Sequence, residues 1–155
     1  DQRHKRRSPP VSRRKAASLQ QPDVQGIQMF GPYLGIPQHE LRVLRRPGMV
    51  LDRLIYVSGQ GATDPATGRL AGADVETQTA QCLQNVAAIL EAAGSSLQHV
   101  LRCGVFLLDM GEFEQMNGVY QRTFGDHRPA RTTIQAAALP GEGLRVEIDA
   151  IAYIP

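Results

Sequence analysis

The clearest pattern in the chain lies at its end. Across residues 144–154, Leu144, Val146, Ile148, Ala150, Ala152 and Ile154 alternate with Arg145, Glu147 and Asp149, and a period of two marks a strand with one apolar face. Residues 54–58 (Leu-Ile-Tyr-Val-Ser) also read as a strand. Asp64-Pro-Ala-Thr-Gly68 then supplies turn chemistry that leads through Arg69 and Leu70 into the next element, a hairpin or wide turn. Helical spacing follows twice. Asp74 is placed to cap a helix on which Thr79, Cys82, Leu83, Val86, Ile89, Leu90 and Ala93 share a face until Gly94 closes it. A second helix over residues 111–124 carries Phe113, Met116, Tyr120 and Phe124 at spacings of three and four, and Gly125 stops it. Residues 101–108 and 131–139 read as the remaining strands, with Pro140-Gly-Glu-Gly143 as a turn.

The order β-β-α-β-α-β-β predicts an α+β fold in which two helices pack on one face of a single mixed sheet. Two helices cannot cover both faces of so many strands. The second face bears Ile151 and Tyr153, and burial against copies of the same sheet would cover it economically. At 155 residues and 42% hydrophobic content, one core is expected. The parsing is a basic arm over residues 1–25, an atypical N-terminal segment over 26–48 that has room for a first strand, and a folded domain over 49–155.

Charge changes this picture only at the front. The net charge is +2, but Arg3, Lys5, Arg6, Arg7, Arg13, Arg14 and Lys15 crowd into the arm and leave an acidic remainder. With no Trp, four Phe and four Tyr, the folded part lacks the aromatic platforms of a nucleic-acid surface, so nucleic acid is not an expected partner. The arm has the Arg and Ser of a mitochondrial transit peptide, yet Pro9 and Pro10 break any long amphipathic helix. A cytoplasmic or mitochondrial location is expected. No stretch approaches the ~18 apolar residues of a membrane-spanning helix, so no membrane is expected as a partner. Cys82, Cys103 and the scattered His4, His39, His99 and His127 have no metal-ligand spacing, so neither zinc nor a disulfide is expected. Phosphate-binding glycine loops and nucleophile elbows are absent from the sequence.

Particular words then add what spacing does not. Tyr56-Val-Ser-Gly-Gln60, Asp74-Val-Glu-Thr-Gln78, Glu91-Ala-Ala-Gly-Ser-Ser96, Val105-Phe-Leu-Leu-Asp109, Pro129-Ala-Arg-Thr-Thr133, Ala137-Ala-Leu-Pro140 and Val146-Glu-Ile-Asp-Ala-Ile-Ala152 resemble, in order and spacing, the reactive-intermediate deaminase (Rid, YjgF-type) family. The likeness spans residues 49–155. It implies the chorismate-mutase-like Rid fold and a homotrimer with pockets between subunits. It also implies cofactor-free hydrolysis of 2-imino acids, such as 2-iminobutanoate and 2-iminopropanoate, to 2-keto acids and ammonia.

By the same resemblance Arg131 grips the substrate carboxylate, a task that suits a planar guanidinium fork, and Glu147 orients the hydrolytic water. Ser58, Gly59, Asn117 and Thr133 match pocket-lining positions. Thr133 occupies the position where the family has cysteine or threonine two residues after the arginine, so cysteine is dispensable there and the implied chemistry is not thiol-based. Arg128 and Asp149 stand close enough to be confused with Arg131 and Glu147. Gly31-Pro-Tyr33 matches the family's Gly-Pro-Tyr, whose tyrosine closes over the substrate, but it lies farther from Ser58 than in the family pattern and is followed by Leu34-Gly35. Tyr33 is thus either the lid or an unrelated match. Two rivals remain: a non-catalytic ligand- or protein-binding module that has lost the lid, and a translation-inhibiting ribonuclease, against which the core shows no paired histidines.

Overall fold

Alternation in the last strand puts every second side chain beneath the helices. In the computed structural model, which describes residues 24–26 and 47–155, the elements run β1 (Val24–Gly26), β2 (Gly48–Leu51), β3 (Leu54–Gln60), α1 (Val75–Ala92), β4 (Val100–Leu107), α2 (Phe113–Phe124), β5 (Ala130–Gln135) and β6 (Val146–Tyr153). One mixed sheet has the order β1-β2-β3-β6-β4-β5, antiparallel except for the β4–β5 pair. That parallel pair needs a crossover, and α2 supplies it. The α+β architecture is the one the sequence leads one to expect.

Both helices begin and end for local chemical reasons. The Asp74 carboxylate accepts the Thr77 amide at 2.8 Å, which caps α1 and holds the Asp74 carboxyl below the usual carboxylate range. Beyond the last turn Gly94 takes φ 78°. Its amide then reaches Glu91 O and that of Ser95 reaches Leu90 O, a Schellman closure. On α1, Leu83, Val86 and Leu90 are buried with Ile55 and Val57 of β3 and with Ile148, Ala150 and Ala152 of β6. Met116, Tyr120 and Phe124 of α2 complete this core beside Cys103 and Val105 of β4. Cys82 and Cys103 are free and buried; burial, with Glu147 adding to it, pushes the Cys82 thiol up to about 12.

Two strand expectations differ from the structure. The hairpin lies before β3 rather than after it: β2 pairs with β3 through the turn Asp52-Arg53, where Asp52 adopts φ 54°, a left-handed conformation that aspartate tolerates. The later turn is real, since Gly68 N donates to Asp64 O at 2.8 Å and the Asp64 carboxylate accepts from Ala66 N and the Thr67 hydroxyl. Only one bridge, Thr63 to Leu70, follows it, because the small residues Ala71-Gly72-Ala73 offer nothing to extend a strand before the Asp74 cap. In turn, β5 stops at Gln135 rather than 139. The run Ala136-Ala-Ala138 is poor in β-formers, and the ladder closes with Ala136 N on Leu107 O.

The sheet face away from the helices bears exposed Tyr56, Ile134 and Tyr153 beside half-buried Ile151. The register aligns Tyr56 with Ile151 and Phe106 with both Glu147 and Ile134. This is an apolar floor interrupted by two acids.

Candidate active site

Arg131 lies on β5, the edge strand, and turns its side chain toward α2. Its Nη1 donates to Asn117 Oδ1 at 2.9 Å, and its guanidinium carbon sits 4.7 Å from the centroid of the Tyr120 ring and 5.5 Å from that of Phe113. Phe113, Asn117 and Tyr120 are spaced four and three along α2, so one helical face supplies all three contacts. Arg131 is half-buried, yet no carboxylate pairs with it among the described residues. Arg145 shows the ordinary alternative. Its Nε donates to both Glu112 oxygens at 2.7 and 2.9 Å, with Nη2 at 2.6 Å from Oε1, and this partner raises its pKa. Two residues along β5 from Arg131, on the same face, the Thr133 hydroxyl is buried without a hydrogen-bond partner among the described residues. A guanidinium fork without an acid and a hydroxyl without a partner are together suited to an incoming anion.

The second cluster lies across the sheet. At Ser58 and Gly59 the β3–β6 register slips, with Val57 opposite Ala150 but Gln60 opposite Ile148; this bulge sets two residues of β3 against the single position Asp149 of β6. Gln60 Nε2 answers the disturbed ladder by donating to Ser58 O at 2.9 Å. Ser58 N is held by Pro47 O at 3.0 Å. A Cβ on Gly59 would stand 1.9 Å from Glu147 Oε1, so the absence of a side chain there is what lets the carboxylate occupy its place. Asp149, two residues on and facing the same way, is already engaged. It accepts Gly104 N at 2.7 Å and lies 3.8 Å from Arg102 Nη1. Glu147 has no such partner among the described residues, which separates the two acids.

The expected residues therefore form two groups, Asn117, Arg131 and Thr133 on the helix side and Ser58, Gly59 and Glu147 on the open side. Tyr33 lies outside the described residues. Arg128 is exposed, and its Nη1 donates to the carbonyls of Gly125 and His127, so it closes the end of α2. A cavity of about 250 Å³ lies between Leu108, Leu139, Leu144 and Arg145, and none of the six residues lines it. Among the described residues no cluster of acids, histidines and cysteines has the make-up of a metal site, and no helix is long and apolar enough to cross a membrane. Phe113 and Tyr120 read from the sequence as core positions only. Their signal was Asn117, a polar residue interrupting an apolar helical stripe.

Sheet order, helix placement and an unneutralised arginine on the edge strand define the class of protein. The sequence model of the family described as Endoribonuclease L-PSP matches residues 45–154, and the chain belongs to that family, which includes the Rid and YjgF proteins. A RutC family protein of Pyrococcus horikoshii is 46% identical over 99 residues, which is 64% of this chain and 78% of that protein. The Bos taurus protein named 2-iminobutanoate/2-iminopropanoate deaminase is 44% identical over 104 residues, 67% of this chain and 75% of its own length. Among solved structures, the Escherichia coli YjgF gene product superposes with a TM-score of 0.69 at 36% identity, covering 74% of this chain and 91% of that one.

Proposed function

We propose that this protein is a 2-iminobutanoate/2-iminopropanoate deaminase, hydrolysing reactive 2-imino acids to 2-keto acids and ammonia. The observation that carries the reading is the half-buried Arg131 guanidinium with a neutral amide and two aromatic faces around it but, among the described residues, no acid. Such a fork takes a small carboxylate through two parallel hydrogen bonds. The deaminase name of the bovine relative supports the same substrate class.

In the reaction, the carboxylate of the iminium acid docks on Arg131, with the Thr133 hydroxyl and Asn117 beside it. Glu147 accepts a proton from a water as that water's oxygen bonds to the C=N carbon. The resulting carbinolamine regains the proton on nitrogen, the C–N bond breaks, and ammonia leaves as the C=O bond forms, the hydroxyl proton passing to Glu147 and from there to the ammonia. Iminium and water thus become ketone and ammonium without oxidant, metal or organic cofactor. Fixed geometry and charge complementarity supply the acceleration.

Arg131 and Glu147 face opposite sides of one sheet, so the working site combines the edge strand of one copy with the open face of the next. A homotrimer closed in this way buries the apolar floor around Tyr56, Ile134 and Ile151. Residues 49–155 carry this chemistry.

The test couples the protein to a threonine dehydratase and follows semicarbazide trapping of the released imine. The natural protein is expected to suppress trapping and Arg131→Ala is not. An assembled natural protein that leaves trapping unchanged but binds 2-oxobutanoate would be a ligand-binding module rather than an enzyme.

A further inference from the structure

An arginine that must receive a carboxylate meets a conflict: the acid that would hold it in place would also occupy it. Arg131 is held differently. An aromatic π-face attracts the guanidinium charge without pairing with it as a carboxylate does, so the N–H fork is left for another acceptor. Arg131 Cζ lies over the Tyr120 ring, 4.7 Å from its centroid, and over that of Phe113 at 5.5 Å, while a single donor is spent on Asn117.

Tyr120 itself is fixed from below. It is buried, its ring is tilted on that of Phe124 at 4.6 Å between centroids, and its hydroxyl lies buried without a hydrogen bond of good geometry. Burial, followed by the neighbouring Cys103 thiol, pushes that hydroxyl's pKa far up, so the ring remains a neutral phenol with an intact negative π-face. The hydroxyl lies by the Cys103 thiol, and what the position presents to Arg131 is the ring.

Resting on the deaminase reading, we infer that Tyr120, assisted by Phe113, is a positioning residue that orients the Arg131 guanidinium through its π-face and so keeps the carboxylate-binding edge free. A positive charge over an aromatic face is attracted by the ring quadrupole without being neutralised. An aspartate or glutamate at the same place would form the closed pair that Arg145 makes with Glu112 and would abolish the site. Tyr120 does not touch the substrate; it acts through Arg131.

Calorimetric titration of the full-length protein with 2-oxobutanoate, the product of the proposed reaction, tests the inference alongside thermal unfolding. Tyr120→Leu keeps an apolar side chain but loses the π-face, and is expected to weaken binding about five- to tenfold, the size of a partly desolvated cation–π contact. Tyr120→Phe keeps the ring and is expected to restore affinity to within about twofold of the natural protein. In an Arg131→Ala background, Tyr120→Leu is expected to add no further loss, because a residue acting through another has no effect once that other is gone. Should Tyr120→Leu fail to fold, Phe113→Leu carries the test with an expected loss of about twofold. If Arg131→Ala binds 2-oxobutanoate as tightly as the natural protein, the deaminase reading itself fails. If Arg131→Ala binds weakly but Tyr120→Leu, or Phe113→Leu in its place, does not, or if Tyr120→Phe is as weak as Tyr120→Leu, only the positioning role is overturned.

Discussion

The two faces of β6 are built from neighbouring residues and do opposite work. Toward the helices, Val146, Ile148, Ala150 and Ala152 are buried among α1, β3 and β4. Toward the open side, Glu147, Asp149 and Ile151 remain half-exposed. The covered face is satisfied within one chain, as a core must be. The open face is not, since among the described residues it carries a carboxylate without a partner and apolar side chains without a cover. Stability resides on the first face and, in the proposed reading, chemistry on the second.

Breaking the open face at its acid has the largest expected effect. Glu147→Gln keeps the shape but removes the base, and imine-trapping assays are expected to show a loss of about 10²–10⁴-fold with an unchanged unfolding temperature. Asp149→Asn is the control that sharpens the contrast. Its carboxylate serves Gly104 N and Arg102, so a change in stability is expected to exceed any change in rate.

On the covered face, Ile148→Ala is expected to cost about 2–5 kcal/mol in denaturant unfolding, the usual range for emptying a buried aliphatic site. Gly59→Ala returns to the open face from the neighbouring strand. Its methyl group would stand on Glu147 Oε1, and displacing the carboxylate by about 1 Å is expected to lower kcat about 10²-fold while thermal stability falls little.

The smallest effect concerns pH. Cys82 is raised from the ordinary 9.0 to about 12 in the fold, so the folded state holds its proton more firmly than the unfolded chain. The corresponding stability is complete below pH 9 and is lost as pH rises toward 12. Unfolding midpoints measured from pH 8 upward are expected to decline, and Cys82→Ala is expected to decline less steeply.

The covered face is the legible one. Period two in β6 and helical spacing in α1 are direct consequences of burying one face, so Ile148, Leu83 and Leu90 stand out as core positions from the sequence alone. The Asp74 cap and the Gly94 stop are equally plain because their reasons are local. The β2–β3 hairpin is not legible, because Asp52-Arg53 is not a conventional turn pair and Asp64-Pro-Ala-Thr-Gly68 carries the stronger turn signal. At the site, the motif words point to Arg131 and Glu147, but not to the fact that they face opposite sides of the sheet. That follows from the register on β4, which sets Arg131 beside core-facing Cys103 and Glu147 beside Phe106 of the opposite face, a long-range property. Nor can spacing separate Glu147 from Asp149, since both share a face; only the Gly104 amide on a neighbouring strand distinguishes them.

If the site is shared between copies, two damaged chains should repair each other. The decisive measurement mixes Arg131→Ala and Glu147→Gln, each inactive alone, by co-expression or by unfolding and refolding together, and assays imine trapping. Where one copy supplies the arginine and the next the glutamate, random assembly restores roughly a quarter of the sites, and activity is expected to return to about that level. Mixed assemblies that form but remain inactive would contradict the account, because Arg131 and Glu147 would then have to act from the same chain or not together at all.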